Sequence, residues 1–242
     1  MIEPHDDLTT DFRASIINLY NQLCIVPSDV DFLCPSYIRS CKKEQYNLFT
    51  GNWAYVGERY GEACIKGKRV KILFVGMDMG GGHRDWNWEN FTETQTAFRE
   101  SCRNRYNPHM GGVSIIMERL IDQKEPDEYS MMFALTNALK CAVKTNSMNA
   151  TRGSNMILNC SNYLLQEIQT LKPNIIITQG RHPKDSVIRL LNLGPALQSF
   201  GPINIYRNDK CILTTPHPAR LKRMKWKKGE LPDYFENAIK SL

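Results

Sequence analysis

The chain carries three polar side chains at points where apolar segments end. Asp78 follows the segment ILFVG, Asn137 closes the segment FALTN, and His217 lies between two prolines shortly after CILTT. Carboxylate and imidazole groups transfer protons in enzymes, and an amide hydrogen-bonds polar ligands. If the apolar segments are parallel strands of one sheet, these groups meet at its carboxyl edge, where ligands bind. We therefore predict one crevice that contains Asp78, Asn137 and His217.

The segments that position these groups alternate between buried strands and amphipathic helices. Short apolar runs predict strands at 70–78 and 174–180 and two more within 203–218. Apolar residues at helical spacing predict helices at 9–24, 90–105, 113–122, 155–173, 184–193 and 230–241. The segment 129–143 fits a strand that runs into a loop, with a helix as the alternative. This alternation is typical of an α/β fold with a mostly parallel sheet.

Length and composition favour one globular domain. The chain has 242 residues, of which 42% are hydrophobic and 23% are charged. We expect a single domain over 1–242, with an N-terminal helix and an irregular cysteine-bearing segment in 1–68 and an α/β core in 69–242. No apolar run approaches the roughly 20 residues that span a bilayer, and the N-terminus lacks a signal-peptide pattern. We expect a cytoplasmic monomer.

Basic residues are concentrated near the carboxyl terminus. The formal net charge is +6, and the segment PARLKRMKWKKG at 218–229 contains six Lys or Arg residues interleaved with apolar ones. Such runs often form a solvated surface. Cations that neutralise phosphates, beside apolar side chains that insert between bases, are also what DNA binding requires. Both interpretations fit the segment by itself.

The glycine-rich turn after the first strand has two interpretations besides catalysis. Such turns hold phosphates in nucleotide-binding proteins, but GMDMGGG matches neither GxxxxGK[ST] nor GxGxxG, and Asp78 would repel a phosphate. A P-loop enzyme would also need a lysine that this turn lacks. The second interpretation is that Asp78 caps the following helix. The prolines around His217 favour catalysis, because they restrict the backbone that carries the imidazole.

Four segments occur in an order that resembles the uracil-DNA glycosylase superfamily. They are VGMDMGGG, LTNALKC, CSNYLLQEIQTLKPNIIITQG and TTPHPAR, and the resemblance extends from about residue 34 to about residue 228. It implies a three-layer α/β/α sandwich around a central, mostly parallel four-stranded sheet. The implied activity is hydrolysis of the N-glycosidic bond of a base flipped out of DNA. The pairing of TNALKC with CSNYL is most similar to the iron–sulfur branch, called family 4.

The resemblance also implies roles for residues around the base. Asp78 would stabilise the sugar cation and orient or deprotonate water, and His217 would donate a hydrogen bond to the departing base. Asn137 would bind the edge of the base. The first motif would supply further base-binding residues, Gly76, Met77, Gly80 and Gly81.

Stacking and DNA contacts follow from the same resemblance. Phe91 lies within one residue of the family's stacking Phe, and Trp86 and Trp88 are alternatives to it. Leu221 or Met224 would fill the space left by the flipped base. The segment after His217 would contact DNA through Arg220, Leu221, Lys222 and Arg223.

The cysteines provide candidate ligands for a metal centre. The chain has eight cysteines, and disulfides are rare in the cytosol. The resemblance to family 4 implies a [4Fe–4S] cluster bound by four thiolates, those of Cys34, Cys41, Cys141 and Cys160. The spacing between the first two is wider than in the family pattern, so Cys64 is an alternative ligand. Buried thiols without a metal are the other interpretation.

The first motif also bears on the substrate. Its carboxylate is at the third position of GMDMG, whereas family 4 carries one at the second, and Gly80 stands where other branches have a Tyr that blocks substituents on pyrimidine C5. We therefore expect DNA with uracil or a C5-modified pyrimidine, such as a phage hypermodified cytosine, in base excision repair or anti-phage defence. Because GMDMG departs from every standard first motif, the alternative is a non-catalytic iron–sulfur DNA-binding protein of the same fold.

Overall fold

The helices and strands are taken from a computed structural model, which describes residues 11–23, 48–49, 53–77, 91–105, 108–143, 154–218 and 233–242. The helices are α1 (Phe12–Gln22), α2 (Phe91–Asn104), α3 (Pro108–Leu120), α4 (Pro126–Tyr129), α5 (Ser154–Leu171), α6 (Arg181–Leu190) and α7 (Asp233–Lys240). The strands are β1 (Leu48–Phe49), β2 (Tyr55–Val56), β3 (Ala63–Ile65), β4 (Lys68–Val70), β5 (Ile72–Gly76), β6 (Phe133–Asn137), β7 (Ala142–Val143), β8 (Ile175–Gln179), β9 (Gln198–Phe200), β10 (Ile203–Arg207) and β11 (Cys211–Thr215). The six predicted helices are all present, and 129–143 contains a strand.

Seven strands form the main sheet of the described part of the chain, in the order β2-β6-β5-β8-β11-β10-β9. The four central strands are parallel to one another. β2 at one edge and β10 and β9 at the other are antiparallel to their neighbours. The prediction of a four-stranded sheet was therefore wrong, although it matches the parallel centre. β2 has only 2 residues and β9 only 3, so an alternation of apolar and polar residues cannot be recognised in either strand.

Helices cover both faces of this sheet. Alternate residues of β5 point to opposite sides, so Phe74 packs in one apolar core and Leu73 and Val75 pack in the other. The first core contains side chains from α2, α3 and α7. The second contains side chains from α1, α5 and α6. The three-layer α/β/α sandwich that the sequence resemblance implied is confirmed.

Local sequence explains where the helices begin and end. The carboxylate of Asp11 caps α1, because its Oδ1 accepts hydrogen bonds from the backbone N–H groups of Arg13 and Ala14, both at 3.0 Å. α5 stops two residues before Pro173, which cannot continue a helix. Among the described residues, no helix is both long enough and apolar enough to cross a membrane.

The cysteine-bearing segment within 1–68, which was expected to be irregular, contains several short strands in its described part. β3 and β4 form a hairpin whose two-residue turn is Lys66–Gly67, and both residues have positive φ angles, 51° and 74°. The Asp122 carboxylate accepts hydrogen bonds from both backbone N–H groups of this turn. The expectation of irregularity was therefore wrong here, because strands of two or three residues leave no periodic signal in the sequence.

Candidate active site

The last residues of the four central strands form a row across the carboxyl edge of the sheet. Backbone pairing places Gly76 beside Asn137 and Gln179 beside Thr215, and β5 and β8 pair with each other in the same register. Because side chains alternate along a strand, this row lies on the same face as the core beneath α3. The Thr215 hydroxyl donates to the backbone oxygen of Thr178 at 3.0 Å. The carboxamides of Asn137 and Gln179 are therefore the other polar side chains of this row, on the face towards α3.

Gly76 is required by the closeness of its neighbours. A Cβ atom at this position would lie 2.7 Å from Asn137 Oδ1 and 3.0 Å from His109 Cε1. Any larger residue would have to displace both side chains, since contacts this short are not tolerated. The missing side chain therefore lets the Asn137 amide and the His109 imidazole share the space above the sheet. The prediction that Gly76 belongs to the base-binding motif is untested, but it lies beside Asn137.

His109 is a member of this site that the sequence did not reveal. It lies in the first turn of α3, and its ring is edge-on to that of His217, with centroids 5.6 Å apart and an interplanar angle of 88°. The only sequence signal is the run NPHMGG at the start of a helix. Nothing in its spacing connects that histidine with the strand ends.

The imidazole of His109 is neutral at neutral pH. Burial of the ring and, to a smaller extent, the neighbouring His217 lower the pKa of His109 to about 4. The nearby carboxamide of Gln179 acts in the opposite direction and slightly favours the protonated ring, although neither of its polar atoms meets hydrogen-bond geometry with a described residue. A neutral imidazole has one N–H donor and one acceptor nitrogen. His109 therefore offers hydrogen-bonding groups without adding a charge to the site.

His109 and Gln179 place unpaired polar atoms in the protein interior. Five buried side-chain atoms lack a hydrogen-bond partner among the described residues, and three of them are His109 Nε2 and both carboxamide atoms of Gln179. Gln179 has no exposed surface. It lies against α3, because a Cβ at Gly112 would be 3.5 Å from its Nε2. We call these two residues the His109–Gln179 pair.

His217 is exposed at the mouth of the same site. Gly180, with a φ angle of 108°, lets the chain after β11 pass closely, since a Cβ there would lie 3.5 Å from His217 Cβ. The buried side chain of Pro218 packs against Gly112 on α3, where an added Cβ would be 3.1 Å from Pro218 Cβ. The His217 backbone is therefore held between β8 and α3, and its ring can be reached from solvent.

A second buried polar cluster lies on the opposite face of the sheet at the same end of β6. Lys140 Nζ donates to Glu167 Oε2 at 2.5 Å and to Thr136 Oγ1 at 2.7 Å. The Thr136 hydroxyl donates to Glu167 Oε2 at 2.6 Å, and the Tyr20 hydroxyl donates to the other carboxylate oxygen. Burial, and then the Glu167 carboxylate, raise the pKa of Tyr20 well above its usual value. We call these four residues the Lys140 network.

The described candidate residues are not all in one place. Gly76, Asn137 and His217 meet around His109. Met77 is buried one residue further on, and its backbone oxygen accepts a hydrogen bond from Leu139 N at 2.8 Å.

Phe91 begins α2 and lies against the second core, away from this group. Its ring is edge-on to Trp53, with centroids 5.4 Å apart. It also lines a surface pocket with Arg13 and Arg99. Its stacking role stays a prediction.

Other candidates lie outside the described residues. These are Asp78, Gly80, Gly81, Trp86, Trp88, Arg220, Leu221, Lys222, Arg223, Met224, Cys34 and Cys41. Their positions in the sequence still relate some of them to the site. Asp78 is the second residue after Gly76, and Arg220, the first cation of the basic segment, is the second residue after Pro218. Their roles stay predictions.

Two of the four candidate cluster ligands are described, and they lie together. Cys141 and Cys160 are both buried in one small group with Met77, Leu139 and Met156. The backbone N–H of Lys140 donates to Cys160 Sγ at 3.4 Å, a contact of the kind that tunes cluster thiolates. Within the described ranges no group of three or more metal-ligating side chains occurs. The two described cysteines therefore fit half of a four-cysteine site.

Cys64 is less well placed to join them. It lies in β3, paired with Arg69 of β4, and its backbone N–H donates to Gln123 Oε1 at 3.1 Å. The β3–β4 hairpin leads into the beginning of β5, whereas Cys141 follows the end of β6, which runs parallel to β5. The two cysteines are therefore at opposite ends of the sheet.

The fold and this site define an α/β protein with a group of polar side chains at the carboxyl edge of a parallel sheet. Residues 67–242 match the uracil DNA glycosylase superfamily. Because the match covers more than half of the chain, the chain belongs to that superfamily, and the resemblance noted in the sequence is confirmed. A type-4 uracil-DNA glycosylase from Saccharolobus solfataricus (strain ATCC 35092 / DSM 1617 / JCM 11322 / P2) is 30% identical over 119 residues. That alignment covers 46% of this chain and 52% of the relative, so the chain spans about half the length of the curated relative it matches.

Proposed function

We propose that this protein is a DNA glycosylase that hydrolyses the N-glycosidic bond of a pyrimidine flipped out of DNA. The observation that carries the proposal is the meeting of Asn137, Gly76 and His217 at one edge of the sheet in a chain of this superfamily. The similarity to a type-4 uracil-DNA glycosylase supports the same activity. DNA is then the partner, and its phosphates face the basic segment after Pro218.

Each group in the crevice has a part in the proposed reaction. As the bond breaks, positive charge develops on the sugar and negative charge on the base. Asp78 stabilises the sugar cation and orients the water that adds to the anomeric carbon. His217, exposed at the mouth, donates a hydrogen bond to the base as it leaves with the bonding electrons. Asn137 holds the edge of the base.

The segment after the histidine would hold the opened DNA. Pro218 packs against Gly112, and the segment that would bind DNA follows it directly in the sequence. Arg220, Lys222 and Arg223 would neutralise phosphates, and Leu221 would occupy the space of the flipped base. In this order Leu221, which would occupy the space of the flipped base, lies within a few residues of His217, which would assist the departure of the base.

Cys34, Cys41, Cys141 and Cys160 would hold a [4Fe–4S] cluster. The burial of Cys141 and Cys160 in one group supports this assignment. The cluster would stabilise the segments around it and takes no electron from the substrate. Iron content and visible absorbance of anaerobically purified protein would test the assignment, and colourless protein without iron would contradict it.

The substrate would be uracil or a pyrimidine with a substituent on C5. Gly80 and Gly81 have no side chain where other branches of the family carry bulk, so they would leave space for a substituent on C5. Base release from duplexes with uracil, 5-hydroxymethyluracil and glucosylated hydroxymethylcytosine would define the range. Activity on uracil alone would contradict the tolerance of C5 substituents. Repair of damaged DNA and defence against phages with modified DNA are both settings for such an enzyme.

A non-catalytic DNA-binding protein of the same fold is the second candidate, and the unusual motif GMDMG favours it. Asp78→Asn separates the two functions. We expect this variant to bind a uracil-containing duplex as tightly as wild type and to release base about 100- to 10,000-fold more slowly. A wild-type protein that binds these duplexes but releases no base would support the second candidate.

A further inference from the structure

We propose that residues 1–10 dock in a groove at the amino edge of the sheet, where their carboxylates pair with lysine side chains. The groove encloses about 580 Å³. It is lined by three lysines and by apolar side chains from α5 and from the residue that follows α6, which are Lys71, Lys172, Lys210, Leu165, Ile168 and Leu191. We call it the lysine groove. The inference does not depend on the proposed function, because it concerns the end of the sheet opposite to the candidate active site.

The lysine groove lies where three neighbouring parallel strands begin. Lys71, Asn174 and Lys210 directly precede β5, β8 and β11. These strands are neighbours in the sheet and are paired from their first residues. The backbone N–H of Lys71 donates to Asn174 Oδ1 at 2.8 Å, which joins two of the strand starts. Asn137 and the other residues of the candidate active site follow the opposite ends of the central strands.

The lining of the lysine groove has an excess of positive charge. The Asp209 carboxylate, which also lines the groove, pairs with the ammonium of Lys210. Lys71 and Lys172 are the other charged residues of the described lining. Only 9% of Lys71 is exposed, and a lysine this buried is normally paired with an acidic group. The groove therefore favours an acidic ligand.

The first residues of α1 lie beside the lysine groove. The ammonium of Lys71 is 4.9 Å from the centroid of the ring of Phe12, the first residue of α1. At the other end of this helix, the Tyr20 hydroxyl donates to Glu167 in the Lys140 network, near the carboxyl edge. The helix therefore runs from the amino edge towards the carboxyl edge, and the chain reaches its first turn beside the groove.

The segment that precedes α1 has the charge that complements the groove. Residues 1–10, MIEPHDDLTT, lie outside the described residues. They contain Glu3, Asp6 and Asp7 and no Lys or Arg, although the whole chain has a net charge of +6. An extended chain spans about 3.3–3.6 Å per residue, so the five residues from Asp7 to Phe12 are enough to bring a carboxylate to the groove. Because the segment is tethered there, its effective concentration is high, which favours it over an acidic segment of another protein.

Hydrogen exchange of the full chain measures whether the segment is docked. The amides of residues 2–10 are compared at low ionic strength in wild type and in Lys172→Glu. Exposed ion pairs stabilise a docked segment only modestly, so we expect exchange about 3- to 10-fold faster in this variant. Adding Asp6→Lys and Asp7→Lys to Lys172→Glu restores opposite charges and should bring the rate back towards wild type. Lys240→Glu, at another exposed lysine at the end of α7, should leave the rate unchanged.

A zero-length carbodiimide cross-linker provides a second measurement, since it joins carboxylates only to amines that they contact. Mass spectrometry of the digested protein should find links from residues 3–7 to Lys71 or Lys172. Equal exchange in wild type and Lys172→Glu, or links to Lys240 as frequent as links to the groove, would overturn the proposal. An added acidic peptide or DNA duplex that slows exchange around Lys172, while residues 2–10 exchange alike in all variants, would also overturn it, because the groove would then have a different occupant.

Discussion

Two buried polar clusters lie on opposite faces of the sheet near the carboxyl edge, and they differ in how fully they are paired. The Lys140 network joins β6 to α5 and α1, and its carboxylate accepts three hydrogen bonds. The His109–Gln179 pair lies under α3 with three atoms that lack partners among the described residues. Both contain buried polar atoms, so burial alone does not distinguish them.

The difference indicates what each cluster does. Unpaired polar atoms in an interior cost free energy, and they persist where something other than folding uses them. Fully paired groups can be explained by the fold alone, because they connect elements that must stay in register. We therefore assign the Lys140 network to the architecture around β6 and the His109–Gln179 pair to the binding of substrate.

Breaking the paired cluster should have the largest effect on stability. Lys140→Met leaves Glu167 buried without its cation, and we expect a loss of about 3–5 kcal/mol in the free energy of unfolding, measured in urea. Combining it with Glu167→Leu removes both charges and should restore much of that loss. A double variant less stable than Lys140→Met would show that Glu167 stabilises the fold through Tyr20 and Thr136 without Lys140.

Filling the space above Gly76, beside the His109–Gln179 pair, should have the next largest effect on stability. Gly76→Ala places a Cβ within 2.7 Å of Asn137 Oδ1, so we expect a loss of about 2–3 kcal/mol in stability and strongly reduced base release. Gly194→Ala is the matched control, because nothing lies within 4 Å of an added Cβ there. If Gly76→Ala releases base at the wild-type rate, then Asn137 and His109 do not need to share that space.

Protonation of His109 at low pH also tests the His109–Gln179 pair through its effect on stability. Since the pKa of His109 is lowered to about 4, the unfolded chain binds a proton that the native chain does not between pH 6.5 and pH 4. Stability should therefore be complete above pH 6.5 and fall as the pH drops towards 4. In His109→Gln the dependence of unfolding free energy on pH should lack this contribution. In His182→Gln, an exposed position on α6, the dependence should match that of wild type.

The sequence was sufficient for the six longer helices and for the ends of the central strands, because long apolar runs and helical spacing depend on local residues. Gly76, Asn137 and His217 were found in this way, since each follows a recognisable strand. His109 was not, because it reaches the row from α3 through packing, and a histidine after Pro108 carries no sign of its distant neighbours. Gln179 was missed for a related reason. At the end of an apolar strand it resembles any polar residue entering a turn, and only the register with Gly76 and Thr215 shows where it faces.

The substitution with the smallest expected effect on stability distinguishes the Lys140 network from the His109–Gln179 pair most directly. Gln179→Leu replaces a buried carboxamide that lacks partners with an apolar group of similar size, so stability should stay equal or rise by about 1 kcal/mol. Gln169→Leu, on the exposed surface of α5, should change stability little. A loss of more than about 1 kcal/mol in Gln179→Leu would mean that the carboxamide is paired by residues outside the described ranges and belongs to the architecture. Unchanged stability together with slower base release is the result that a substrate-directed pair predicts.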